Sequence, residues 1–207
     1  MPEIIYILIN EAMPGYVKVG RTATSIEQRM KELDNTSMPL PFECYHAAIV
    51  ENSALVEKRI HAAYKDRRVR KRREFFQVDP EQIRNALLLA QINDVTPRED
   101  VVEEPEDIRA LNKARNKRGN FNFELVNIPI GSTLTFSKDD AVSCTVIDNK
   151  KVEFEGTAMS LSKSALAVVH RLGYTWKALA GPDYWQFEGE TLTARRLRLE
   201  EEANENQ

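Results

Sequence analysis

Cysteine is scarce in this chain: there are two, Cys44 and Cys144, a hundred positions apart. No Cys-x-x-Cys pair and no Cys/His zinc spacing occurs, so neither a disulfide framework nor a structural zinc site is indicated. Long apolar runs are also missing; the longest fall far short of the ~18 residues needed to span a bilayer. The start, Met1-Pro2-Glu3, has no basic segment followed by an apolar run, as a secretory leader would. The expectation is two buried thiols in a cytoplasmic protein without a membrane partner. Nor does one sign of charge dominate, since 29 Lys+Arg stand against 32 Asp+Glu. Hydrophobic residues at 42% and charged residues at 29% argue against a wholly disordered or fibrous chain. At roughly 100–200 residues per domain, 207 residues allow one large domain or two small ones.

A net charge of −3 seems at first to speak against nucleic acid, because phosphate binders are usually basic. Its distribution changes that reading. Residues 1–92 hold 14 bases against 12 acids, residues 93–118 hold 6 against 7, and residues 119–199 hold 9 of each. The last eight residues add four acids and no base. Within the first segment, Arg67, Arg68, Arg70, Lys71, Arg72 and Arg73 place six bases in seven positions. That is a concentrated anion site inside an acidic total.

The patterning predicts an α+β chain of two small domains. Ile4–Ile9 and Tyr16–Gly20 alternate as the strands of a hairpin around a turn that ends in Pro14-Gly15. Thr24 or Ser25 caps a helix carrying Ile26, Met30 and Leu33. Phe42–Val50 reads as a third strand, so a three-stranded antiparallel sheet with flanking helices is expected. A second helix covers about 53–65, Glu74–Val78 is a short strand or extended segment, and Asp79-Pro80 starts a third helix. Residues 1–92 form this domain. Residues 93–118, with Pro97 and Pro105 flanking acids, read as a solvated and partly helical linker. Residues 119–199 predict a smaller β-hairpin and helix module. Asp148-Asn149-Lys150 is its hairpin turn, Ser160 or Ser162 a cap, and Gly173 a helix stop. Residues 200–207 read as an acidic tail.

Several polar residues of the first domain stand at informative places. Tyr6 lies on the first strand, expected to face Lys18 across the hairpin, with Tyr16 two positions before Lys18 on the same strand face. Arg29 is on the first helix. Glu57 and His61 share a face of the second at i and i+4. Taken singly, each is as well explained as a core tyrosine or a surface pair. Together, Ile4-Ile5-Tyr6, Lys18-Val19-Gly20, Arg29 and Glu57 resemble the GIY-YIG nuclease superfamily. The similarity is to its phage and bacterial branch with Lys-x-Gly in the second triplet. Val19-Gly20-Arg21-Thr22, the Glu57/His61 helix and Arg73-Glu74-Phe75-Phe76 match further elements of that branch.

The resemblance implies a DNA endonuclease that uses one divalent cation, Mg²⁺ or Mn²⁺. Glu57 would supply the hard oxygen ligand, and Arg29 would offset charge on the phosphate. Tyr6 would orient or deprotonate the attacking water. A tyrosine with pKa near 10 needs nearby positive charge for the second role. Lys18 either provides that charge, acts as the base itself, or contacts phosphate. His61 would relay a proton. Arg21 and the 67–73 run would grip the backbone of double-stranded DNA without reading sequence. Ile4 for Gly, Lys18 for Tyr and the lack of a matching Asn after the metal-ligand helix are departures from the family pattern.

In the second domain, Val152–Gly156, Ser160–Ala165 and Gly181–Phe187 resemble the RAMA-type module that accompanies restriction enzymes and methylases. This implies sensing of modified DNA, with Trp176, Tyr184 and Trp185 as candidates for stacking on a base. Alternation alone instead puts Trp185 and Phe187 in the core and leaves Tyr184 or Trp176 freer. The combined reading is restriction of foreign or base-modified (phage) DNA. The alternatives are a non-cleaving DNA-binding adaptor or a repair or homing nuclease. One active site per chain makes a homodimer one route to a double-strand break.

Overall fold

The computed structural model describes residues 3–35, 37–71, 73–117 and 121–205, and the chain divides into two compact units, Met1–Ala114 and Arg115–Gln207. The α+β class holds, with six helices and two antiparallel sheets among the described residues. None of the helices there is long and apolar enough to cross a membrane.

In the first unit, β1 (Ile4–Ile9) and β2 (Tyr16–Thr22) pair antiparallel, and β3 (Glu43–Val50) pairs with the other side of β1. The hairpin turn is held by Asn10. Its side-chain oxygen accepts from the Ala12 amide at 2.8 Å and its Nδ2 donates to the Leu40 carbonyl at 2.7 Å. The expected three strands are the centre of a five-stranded sheet. A short β4 (Phe75–Gln77) adds to β2, and β5 (Gln91–Asp94) adds to β3. Beyond β5 the Val95 amide donates to the Ala47 carbonyl at 2.8 Å, and the Ala47 amide donates to the buried Thr96 hydroxyl at 3.0 Å. Residues 93–96 therefore belong to the sheet and not to a solvated linker. The linker expectation survives as a helix, α4 (Pro105–Lys117), which runs across the division between the units and buries Leu111.

Local signals set the other helices. The Ser25 hydroxyl accepts from the Gln28 amide and starts α1 (Ile26–Leu33); Asn52 and Asp79 do the same for α2 (Ser53–Ala63) and α3 (Pro80–Leu88). Strand alternation sends Ile4, Tyr6 and Leu8 to one face, where they pack with Ile26 and Met30 of α1 and with Phe42. Helices α2 and α3 lie against β1, β2 and β3 and bury Ile60, Ile83 and Leu87.

The second unit is a six-stranded sheet in place of the simple hairpin module expected. Its strands are β6 (Thr133–Phe136), β7 (Asp139–Val146), β8 (Val152–Phe154), β9 (Thr157–Met159), β10 (Trp185–Phe187) and β11 (Glu190–Thr191), in the order β11-β10-β6-β7-β8-β9. Two tight turns, Glu155-Gly156 and Glu188-Gly189, have positive φ at both residues, the geometry that matches hairpin twist. Helix α5 (Leu161–Arg171) is capped by Ser160. Ser162, the other cap candidate, accepts from the Gly181 amide at 3.1 Å. The final helix α6 (Leu192–Glu205) absorbs most of the expected tail, and Arg196–Glu200 and Arg198–Glu202 pair along it at 2.8 and 3.0 Å. Both cysteines are free and buried.

Candidate active site

Strand register decides what Tyr6 meets. Its partner across β1 and β2 is Gly20, and Lys18 stands opposite Leu8. Tyr6 does not face Lys18 directly, as the hairpin reading had it; the two lie on one sheet face, one pleat apart. The Tyr6 ring lies over Gly20. A Cβ added to that glycine would sit 2.5 Å from Oη and 2.7 Å from Cζ. Gly20 is thus a steric requirement of Tyr6. The signal was present in the sequence as a glycine five residues before the helix cap, but it needs the register to be read.

The cation on Tyr6 is Arg29, not Lys18. Arg29 Nε donates to Tyr6 Oη at 3.3 Å and Nη1 pairs with Glu32 at 3.1 Å, leaving Nη2 without a partner among the described residues. Burial dominates the phenol and raises its pKa above the ordinary 10. Arg29 opposes that shift, while the charges of Glu74 and Glu57 reinforce it. A phenolate base at neutral pH is therefore disfavoured. The same hydrogen bond raises the pKa of Arg29 and keeps the guanidinium charged.

Lys18 has another partner. Its Nζ lies 2.5 Å from Glu74 Oε2 and 5.4 Å from the centroid of the Phe75 ring, and only 10% of its side chain is exposed. The Glu74 carbonyl accepts from the Val19 amide at 3.0 Å, and Phe75 is the strand partner of Lys18. The Phe76 ring packs against His61 at 5.0 Å between centroids, and Arg68 lies over it at 5.6 Å. Each residue of the Glu74-Phe75-Phe76 element thus touches a residue singled out from sequence. Phe76 is core as expected, while Phe75 is only half-buried beneath Lys18.

Helix α2 brings Glu57 and His61 to β2 from a different element. Glu57 Oε2 accepts from Arg21 Nε at 3.2 Å, and Glu57 Oε1 makes no hydrogen bond among the described residues. His61 Nε2 donates to the Val19 carbonyl at 3.1 Å, so only Nδ1 remains for proton relay. Among the described residues no hydrogen bond or ion pair joins Glu57 or His61 directly to Tyr6, Lys18 or Arg29. What links them is charge, since Tyr6 feels Glu57 and Glu74 alike. No group of three His, Cys, Asp or Glu side chains suited to an ion occurs among the described residues. A single carboxylate with an unengaged oxygen, 19% exposed, still fits a Mg²⁺ that keeps most of its waters.

The basic run has a defined path. Arg68 is folded back, its Nε donating to the Arg73 carbonyl at 2.7 Å, while Arg67, Arg70, Lys71 and Arg73 are exposed. Arg21 is half-exposed but engaged by Glu57. Arg72 lies outside the described residues.

With this geometry in place, comparison with known proteins adds one assignment. Residues 3–91 match the T5orf172 domain. The T5orf172 domain occurs in phage and bacterial nuclease-like proteins, which is loosely consistent with a GIY-YIG-type nuclease. The match takes in Tyr6, Lys18, Gly20, Arg29, Glu57, His61 and Glu74. No curated protein and no solved structure matches the chain.

Outside the matched residues 3–91, the aromatic candidates of the second unit turn out to be buried. Trp185 is 0% exposed; its indole N–H donates to Ser164 Oγ at 3.0 Å, and its ring meets Phe136 edge-on at 5.1 Å. It is a core residue and presents no face to a base. Tyr184 and Trp176, expected to be freer, are also buried, and with Tyr174 they form one ring cluster. Lys138 Nζ stands 5.9 Å from the Tyr184 ring. Phe187 is half-buried beneath the Arg195 guanidinium instead of lying in the core.

Proposed function

We propose that this chain is a DNA endonuclease requiring Mg²⁺ or Mn²⁺, whose T5orf172 domain cuts while the second unit directs or restrains it. The observation that carries the reading is the set of three pairs Tyr6–Arg29, Lys18–Glu74 and Arg21–Glu57, all inside the matched segment. Glu57 would hold the ion, which when bound polarises the phosphoryl oxygen and offsets charge on the leaving oxygen. Arg29 presents its unengaged Nη2 to a non-bridging oxygen. Tyr6, a neutral phenol that accepts from Arg29, has its own proton to donate and so orients the water or phosphate instead of deprotonating it. The Lys18 ammonium, fixed on Glu74, adds positive charge beside the same face. Foreign or base-modified phage DNA is the proposed substrate.

The test is nicking of supercoiled plasmid and of modified and unmodified phage DNA, with Mg²⁺ or Mn²⁺ and with EDTA. Metal-dependent nicking that Glu57→Ala abolishes is the expected result. Glu57→Ala cutting as well as wild type would overturn the metal assignment. A second reading, a non-cleaving DNA-binding adaptor, is favoured by the engagement of Lys18, Arg29 and Glu57 with partners in the chain. It predicts binding without nicking on every substrate.

A further inference from the structure

The cations of the first unit divide sharply by position. Up to residue 96, each Lys or Arg outside the segment 58–73 has a carboxylate partner. Lys18 is on Glu74, Arg21 on Glu57, Arg29 on Glu32, Lys31 on Glu103 and Arg84 on Glu81. Inside that segment no described Lys or Arg has one. Lys58 and Arg59 of α2 and Lys65 just beyond it are exposed, as are Arg67, Arg70, Lys71 and Arg73 of the loop. The sole acid in the segment is Asp66.

Up to residue 96, pairing of every described cation outside this one continuous stretch leaves a local excess of positive charge on it. The stretch begins on the residue after Glu57. From Lys58 to Lys65 the chain advances about 10 Å along the helix direction, roughly the axial length of three phosphates on one strand of a duplex. We infer that Lys58, Arg59 and Lys65 extend the basic loop into a single track for a phosphodiester backbone, running beside the helix that carries Glu57. This rests on the nuclease reading and specifies how that site holds its substrate. The sequence signal passes over these three because Lys58 and Arg59 stand apart from the charge run and Asp66 separates Lys65 from it.

Backbone contacts of this kind release counterions, so they show in the salt dependence of binding. The experiment uses the full chain in EDTA, which prevents cutting, with a 20-base-pair DNA duplex and an RNA duplex of the same length. The logarithm of the binding constant is followed against that of KCl concentration. For Lys58→Ala/Arg59→Ala/Lys65→Ala the slope on DNA becomes shallower by about 2.7, three contacts at about 0.9 each. Lys31→Ala, which removes a cation already opposite Glu103, leaves the slope as in wild type. A triple variant with the wild-type slope overturns the track while leaving the nuclease reading intact. Wild-type protein that binds neither duplex overturns both. Steeper dependence and tighter binding on RNA would keep the track and overturn DNA as its occupant.

Discussion

Gly20→Ala isolates one contact on which the candidate site depends. The added Cβ would stand 2.5 Å from Tyr6 Oη, 2.7 Å from Cζ and 3.0 Å from Cε2. Carbon atoms in contact ordinarily keep about 3.5–4.0 Å, so the ring tip must retreat by close to an ångström. It has little room, because Tyr6 is 0% exposed, packs in the α1-facing core and is tied to Arg29. Overpacking of this sort costs about 1–3 kcal/mol. Were the ring absent, the same substitution would help, since alanine in place of a regular-structure glycine gains roughly 0.5–1 kcal/mol. The expected signature is therefore a change of sign. Gly20→Ala destabilises wild type by about 1–3 kcal/mol but is neutral or slightly stabilising in a Tyr6→Leu background, a coupling at the upper end of what contacting residues show. Both tryptophans, Trp176 and Trp185, lie in the second unit, so their fluorescence does not report on this core. Native-state amide exchange of β1 and β2 does. Equal cost in both backgrounds, or no cost in wild type, would refute the steric account.

Four further outcomes follow from the same geometry. Glu74→Gln leaves a largely buried ammonium without its carboxylate and costs about 1–3 kcal/mol. If Lys18 works as a cation in cleavage, Glu74→Gln also lowers the cleavage rate of the protein that remains folded, whereas a purely structural Glu74 leaves that rate unchanged. The Cys144 thiol, its pKa pushed up to about 12 by burial, resists alkylation at pH 8–9 in the folded protein and reacts on unfolding. Because that folded pKa is raised, its contribution to stability is present below the ordinary thiol value and is lost as pH rises toward about 12. Ultraviolet titration should find Tyr6 ionising above the ordinary tyrosine value, with Tyr6→Phe removing one tyrosine from the late-ionising part of the curve. Gly181→Ala puts a Cβ 2.5 Å from the Ser162 amide nitrogen and 2.6 Å from the Leu161 carbonyl oxygen. Backbone yields less than a ring tip, so its cost in the second unit should reach about 3 kcal/mol or more, read by tryptophan fluorescence in urea.

The central hairpin, three helices and their caps were legible because each carries a local signal, either alternation, apolar spacing or a capping side chain. Of the edge strands among the described residues, only Phe75–Gln77 was. Gln91–Asp94 has no apolar alternation, and it joins the sheet because its backbone completes the ladder on β3. Thr157–Met159 and Glu190–Thr191 are too short to show a period and exist because the turns before them reverse the chain. At the site, the identities of Tyr6, Lys18, Arg29, Glu57 and His61 came from a resemblance, but their pairing did not. Opposition of Tyr6 to Gly20 and capture of Lys18 by Glu74 depend on register and on an edge strand 56 residues away. In the second unit, Trp176 follows no strand pattern, and its burial arises from ring neighbours contributed by other segments.

The lysine in the second triplet and the Arg73–Phe76 element are one feature, not two. Lys18 pairs with Phe75 in the ladder, lies against its ring and ends on Glu74, so all three contacts come from two adjacent residues, the first of β4 and the one before it. A tyrosine at position 18 would leave Glu74 without its cation at the edge of the proposed phosphate-binding surface, where an uncompensated carboxylate would repel phosphate. Lys18→Tyr, a substitution toward the family pattern, is therefore not a repair. It removes the positive charge and exposes the negative one together. The acid before the two phenylalanines is compatible with the proposed phosphate-binding face because Lys18 covers it, and Lys18 can be nearly buried because Glu74 is there.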